Sequence, residues 1–235
     1  MKSERVGAER LRLGCPKPNT GESAPAEPGG EPVYQVESVW YRHLGQFPAL
    51  AGVSLQVRRG ELIALLGANG SGKSTLLRLL AGLLFAEQGR VVAFGSELTP
   101  QTLEDRSFGP AFRARVGVLF QHVESQLFNA TVEEEIAFAP LQMGLAPEEV
   151  AGRVRDLLEL FGLGALRERP PFRLSGGEKK RVALAAVLAQ NPEVLLLDEP
   201  LAGLDPRSQD RVLDLLAELH AGGRTLVLAT HDVEI

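Results

Sequence analysis

Residues 61–80 read ELIALLGANGSGKSTLLRLL, and the change of texture within them decides the fold class. Residues 61–67, ELIALLG, form the short apolar run of a buried strand, and residues 74–80, STLLRLL, carry the leucine pattern of a helix. Between them, Gly67, Gly70 and Gly72 give the backbone room to curl, so that loop amides and the helix N-terminus converge on one anion. Lys73 is placed to reach the outer phosphates of a nucleoside triphosphate, and Ser74 to ligate a magnesium ion. The expected ligands are ATP and Mg2+, held by Gly67, Ala68, Asn69, Gly70, Ser71, Gly72, Lys73, Ser74 and Thr75.

The same alternation continues outward from that loop. Short β-branched and leucine-rich runs at 33–39, 53–57, 90–95, 115–120, 193–198 and 224–230 are separated by helical stretches. This pattern predicts an α/β domain with a largely parallel core sheet. The region from about His122 to Lys180 contains no strand pattern and reads as consecutive helices, a helical subdomain inserted into the α/β core. One of these helices starts at a capping box formed by Thr131 and Glu134; the next has Pro147 in its first turn and Gly162 just past its end. Residues 1–32 are rich in Pro, Gly, Glu and Arg and poor in large apolar side chains, so a disordered tail is expected there and one globular domain over 33–235.

Composition narrows the functions further. The 235-residue chain carries a formal net charge of −5, which gives no general attraction to nucleic acid. Its single cysteine, Cys15, excludes an intrachain disulfide framework. No apolar run approaches the roughly 18 residues needed to cross a bilayer, so any membrane role comes through a partner.

Chemistry-bearing residues recur at strand ends. The run EVLLLDEP at 193–200 is a buried strand closing on two carboxylates, Asp198 and Glu199. Asp198 suits the metal, and Glu199 suits orienting and deprotonating the water that attacks the terminal phosphate. Gln121 leaves the strand at 115–120 within reach of the metal or that water, and His231 closes the last strand, where it would contact the terminal phosphate.

A second phosphate-directed element is LSGGEKKR at 174–181. Ser175 and Glu178 make a capping box, while Gly176 and Gly177 strip side chains from a helix N-terminus and leave its amides open to an anion. One bound ATP needs only one cradle, so this element fits the exposed side of another subunit's ATP.

The order phosphate loop, Gln121, LSGG, Asp198–Glu199, Asp205 in AGLDP and His231 resembles that of ABC transporter ATP-binding subunits over roughly Val33 to Ile235. The resemblance implies a P-loop cassette with N-terminal antiparallel strands, a parallel core and the helical insert. It implies that Ser175, Gly176 and Gly177 act on a partner's ATP, that Asp205 lies at a dimer seam and that His231 senses the terminal phosphate. Asp205 also suits the N-cap of a helix beginning at Pro206. The aromatic that stacks on adenine in this family falls at His43 or, two residues earlier, at Tyr41.

The stretch QHVESQLFNATVEEEIAFAPLQMGL at 121–145 is similar to that of the energy-coupling factor and cobalt–nickel importer ATPases. Those commonly read Q-N-P-D-x-Q-L-F and then T-V-x-x-[DE]-[IV]-A-F-G-P. This implies paired ATPases at the cytoplasmic face of the cell membrane, driving a transmembrane coupling protein and a substrate-binding membrane component for a metal ion or vitamin. The alternatives are the ATPase of another ABC importer class or a soluble ABC ATPase. Family members continue beyond the switch His, so the C-terminal end is expected to be truncated. Arg153, Arg155, Arg167, Arg169, Arg173, Lys179, Lys180 and Arg181 make the insert basic, either as solvated helix faces or as a membrane-side surface.

Overall fold

The computed structural model describes residues 30–231; the tail assignment for 1–29, Cys15 and the last four residues lie outside them. The described residues form two compact units, one over 30–126 and 192–231 and one over Leu127–Asn191.

The first unit holds two sheets. One is antiparallel, in the order β2-β1-β4-β5, built from β1 (Pro32–His43), β2 (Phe47–Arg58), β4 (Gln88–Ala93) and β5 (Ser96–Glu97). The other is parallel, in the order β3-β8-β7-β6, built from β3 (Leu62–Leu66), β8 (Thr225–Thr230), β7 (Val194–Asp198) and β6 (Val116–Leu119). Every residue of β7 and β8 is buried, as expected where a parallel sheet is covered on both faces and its strands are apolar throughout. Helix α1 (Lys73–Leu80) packs Leu76, Leu77, Leu79 and Leu80 into a core shared with Val36, Val57, Val91, Leu196 and Val227.

Two features exceed the sequence reading. β1 and β2 are 12 residues each and form one long hairpin, turned by Leu44 and Gly45 at φ 53° and 68°. Helices α2 (Pro100–Glu104) and α3 (Phe108–Arg115) fill the segment before β6. Phe112 of α3 is buried against Phe94, and the Arg115 guanidinium lies 3.5 Å over the Phe94 ring.

The second unit is helical. α4 (Val132–Gln142) packs on α5 (Pro147–Leu160) and α6 (Gly176–Ala189). Ile136, Val150, Val154, Leu157, Val182, Leu184 and Leu188 are buried there. Only the forward half of the expected capping box at α4 forms, with the Thr131 hydroxyl accepting from the Glu134 amide at 3.2 Å. The buried carboxylate at this end belongs instead to Glu135, which accepts from the Phe128 and Asn129 amides at 2.9 and 2.8 Å.

Part of the insert's basic set is engaged within the unit, while Arg155, Arg169 and Arg173 are exposed. Arg153 donates to the Ala189 carbonyl at 3.0 Å and to Glu149 at 2.7 Å, Arg167 pairs with Glu133 at 2.6 Å, and Arg181 donates to the Phe161 carbonyl at 2.7 Å. Lys180 is buried. The contacts of Arg153, Arg167 and Arg181 close helix ends and tie turns within the unit.

Candidate functional site

The parallel sheet brings the chemistry together by register. Leu66 of β3 pairs with Thr230 of β8, and Ala229 pairs with Asp198 of β7. Leu119 of β6 pairs with Leu197. All four strands therefore end along one edge of the sheet, which delivers Gly67 after β3, His231 after β8, Glu199 after β7 and Gln121 after β6 to that edge. In open parallel sheets this carboxyl edge is where ligands bind.

The loop after β3 is shaped at Gly72 by a contact that only glycine satisfies. Gly72 sits at φ 95°, and a Cβ there would lie 2.4 Å from the Ala49 carbonyl oxygen. A Cβ on Gly67 would meet the Ser71 hydroxyl at 2.8 Å. The close approach to Ala49 seats the loop on β2 and starts α1 at Gly72. No side chain caps that N-terminus, and its first turn contains no acidic residue. The unpaired first-turn amides and the positive end of the helix dipole therefore favour an anion. Lys73 Nζ donates to the carbonyls of Gly67 and Ala68 at 2.6 and 3.1 Å, which holds its cation over the loop.

A cavity of about 370 Å3 opens beside this loop, within the ordinary range for small-molecule sites. Asn69, Gly70, Ser71, Gly72, Lys73, Ser74 and Thr75 line it, as do Gln121, Asp198, Glu199 and His43. Gly67 and Ala68 are not among the lining residues; their carbonyls accept from Lys73 Nζ.

At the carboxylate end, Asp198 and Glu199 are both buried. Asp198 Oδ1 is buried with no hydrogen-bond partner, an arrangement that disfavours an anion unless a cation neutralises it. With the Ser74 hydroxyl and the Gln121 carboxamide on the same cavity, the donor set is all oxygen and suits a hard divalent cation completed by phosphate oxygens and water. Among the described residues no three His, Cys, Asp or Glu side chains converge as a metal centre, so the protein would supply only a few of the ligands.

Glu199 occupies the left-handed region at φ 49°, a conformation that costs a non-glycine residue about 1–3 kcal/mol. Its amide donates to the Ala229 carbonyl at 2.9 Å, which ties the strained turn to β8. His231 Nδ1 lies 2.7 Å from Glu199 Oε1. Glu199 is thus held through its backbone by β8 and through its carboxylate by His231, at the cavity wall.

The two aromatic candidates separate. His43 lines the cavity, and its Nε2 is 3.1 Å from the Thr75 hydroxyl. Tyr41 packs against the core and stands edge-on to the His43 ring, with centroids 5.2 Å apart. Beside His43 the cavity is also lined by Phe47, Pro48 and Ala49, which sequence reasoning passed over. The available signal was the Leu44–Gly45 turn, which sets residues 43 and 47 opposite each other.

Asp205 N-caps α7 (Pro206–Ala221): its Oδ1 accepts from the Ser208 amide at 3.2 Å, and Oδ2 accepts from the Ser208 hydroxyl at 2.6 Å. These bonds from Ser208 hold the Asp205 pKa below the usual aspartate value. In the helical unit, Ser175 and Glu178 form a reciprocal capping box at α6, with the Ser175 amide donating to Glu178 at 2.7 Å. A Cβ on Gly176 would meet nothing within 4 Å, so packing in its own chain does not require glycine there.

Comparison with known proteins places the family and the fold. The family model described as ABC transporter matches residues 50–202. The chain is 51% identical to the nickel import ATP-binding protein NikO of Rhodobacter capsulatus over 208 residues, covering 87% of this chain and 81% of that one. The solved structure of CbiO1 from Clostridium perfringens, part of the ABC transporter complex CbiONQ, superposes with a TM-score of 0.72 at 37% identity, covering 87% of this chain and 80% of that one. A dimeric post-hydrolysis state of the ATP-binding cassette MJ0796 bound to ADP and Pi gives a TM-score of 0.77 at 29% identity over 86% of this chain and 89% of that one. By the matched family model, the extent of these identities and the shared fold, the chain belongs to the ABC transporter family of ATP-binding domains and is an ATPase.

Proposed function

We propose that this ATPase powers a membrane importer of the energy-coupling factor and cobalt–nickel type, working as a head-to-tail pair of ATP-binding subunits. The observation that carries the pairing is the N-terminus of α6. Glycine costs helix stability, about 0.5–1 kcal/mol relative to alanine, and Gly176 gains no internal packing in return. Open amides at a capped helix start are what a second subunit's triphosphate needs. In this reading Ser175, Gly176 and Gly177 complete the partner's site, and Asp205, on the short turn before α7, lies at the seam.

Within each site, Lys73 and the loop amides of 67–75 bind the triphosphate. Ser74, Gln121 and Asp198 would hold Mg2+, which supplies charge neutralisation at the phosphates when bound. Glu199 accepts the proton of the attacking water, and His231 fixes the carboxylate and reaches the terminal phosphate. His43 presents the ring for adenine.

A nickel- or cobalt-class cargo is supported by the nickel import function of NikO, by the place of CbiO1 in the CbiONQ complex and by the stretch at 121–145. Among the described residues no helix is long and apolar enough to cross a membrane. In this reading the chain works peripherally at the cytoplasmic face, with a transmembrane coupling protein and a substrate-binding membrane component as partners. The test is purification of the tagged chain from detergent-solubilised native membranes, with identification of what accompanies it. Recovery of a small integral protein and a membrane binding component supports the importer; recovery of ribosomal or DNA-associated proteins alone overturns it.

A further inference from the structure

Phe47, on the wall of the nucleotide cavity beside His43, has no role in the site described so far. β1 and β2 pair in a register that sets His43 directly opposite Phe47 across the Leu44–Gly45 turn. Directly opposed residues of an antiparallel pair project to the same face, with Cβ atoms about 4.5–5.5 Å apart. Both residues line the cavity that contains the phosphate loop. Phe47 is 62% exposed, an uncovered apolar ring at the rim of a cavity whose other end carries the phosphate loop and two carboxylates.

Two contacts fix this wall relative to the loop. β2 continues from Phe47 through Pro48 to Ala49, whose carbonyl oxygen lies beneath Gly72. On the other strand, His43 is tied to Thr75 of α1. The distance from the hairpin end to the phosphate cradle is therefore set by regular structure. The imidazole is small and partly polar, and Phe47 adds the larger apolar surface that a planar heterocycle stacks on.

We propose that Phe47 is a nucleobase-contacting residue and that the purine ring of the bound nucleotide is held by Phe47 together with His43. This rests on the reading of the cavity as the ATP site. A ring face recognises stacking area and not hydrogen-bonding edges, so the pair selects purines over pyrimidines and discriminates little between adenine and guanine.

The test is nucleotide binding by calorimetry on the full chain, comparing the parent protein, Phe47→Ala and Phe47→Tyr with ATP, CTP and inorganic tripolyphosphate. Phe47→Ala is expected to weaken ATP about 10-fold, to narrow the gap between ATP and CTP and to leave tripolyphosphate unchanged. Phe47→Tyr is expected to retain the parent values. Unchanged ATP affinity in Phe47→Ala overturns the proposal while leaving the cavity as the ATP site. An equal loss for ATP and tripolyphosphate also overturns it, since that reports damage to the cradle and not loss of a base contact. A parent chain that binds neither ATP nor tripolyphosphate overturns the cavity reading itself, and the proposal with it.

Discussion

His231 and Glu199 are joined at 2.7 Å between Nδ1 and Oε1, and they arrive from the ends of two neighbouring parallel strands. The Glu199 amide is fixed to Ala229 on β8, so backbone and carboxylate are both referenced to the strand that carries His231. Glu199→Gln keeps the shape and a hydrogen bond to His231 but removes the base. Turnover is expected to fall by about 10²–10⁴ with ATP affinity retained, measured by phosphate release and equilibrium binding. His231→Ala should lower turnover as well. Because both act on one carboxylate, the double variant should be little worse than Glu199→Gln alone. Additive losses would show that the two residues act separately.

Gly72 and Gly70 give a paired test of the loop. Both have positive φ, 95° and 82°, but a Cβ on Gly72 strikes the Ala49 carbonyl at 2.4 Å whereas a Cβ on Gly70 meets nothing within 4 Å. Gly70→Ala should lose about 1–2 kcal/mol from left-handed backbone strain. Gly72→Ala should lose more, because β2 or the start of α1 must move as well, and its nucleotide binding should fail. Chemical denaturation of both variants checks the order; equal losses would mean that the contact with Ala49 relaxes without cost.

The parallel core and the phosphate loop were legible because both are written locally. Glycines at 67, 70 and 72 encode the turn, and the unbroken apolar runs at 194–197 and 226–229 announce strands buried on both faces. The helical insert was legible from its caps, Pro147 and the Ser175–Glu178 pair. What was not legible depends on partners distant in sequence. Glu193 gathers Arg59 and Arg115 from 134 and 78 residues away, and nothing near EVLLLD signals it. The pairing of Phe47 with His43 depends on the hairpin register, which a Leu–Gly turn fixes only once both strands are known to extend that far. At α4, Thr131-x-x-Glu134 matched the capping pattern, yet the buried acceptor is Glu135, because the amides needing a partner belong to Phe128 and Asn129 and not to the helix start.

The Glu193 cluster makes stability depend on acid. Burial raises the Glu193 pKa, but hydrogen bonds from Arg115 and Arg59, both at 2.7 Å, outweigh it and hold the pKa below the usual glutamate value. A folded-state pKa below the unfolded one stabilises the protein above the unfolded value of about 4.3. That contribution is lost as pH falls from there through the folded value. Glu193→Gln should cost on the order of 1 kcal/mol at neutral pH and should flatten the acid limb of stability. Unfolding free energies of parent and variant at pH 7, 5, 4 and 3 check this; they should converge at the acid end, and a gap unchanged at pH 3 would rule out the ionised carboxylate as the cause.

The pairing of two subunits through α6 can be tested without harming the fold, because Gly176 has open space where its side chain would be. Gly176→Ala fills no occupied volume and reduces the freedom of the unfolded chain, so stability should be unchanged or higher by about 0.4–1 kcal/mol. If the α6 N-terminus receives a partner's phosphates, that same methyl stands between the amides and the anion. In the Glu199→Gln background, where bound ATP persists, the parent should become dimeric when ATP is added, and the additional Gly176→Ala change should keep it monomeric at the same concentration. Size-exclusion chromatography with light scattering reads the state, and thermal unfolding confirms that the fold is intact. A dimer that forms equally well with Ala at 176 would place the subunit contact elsewhere and leave the glycine unexplained.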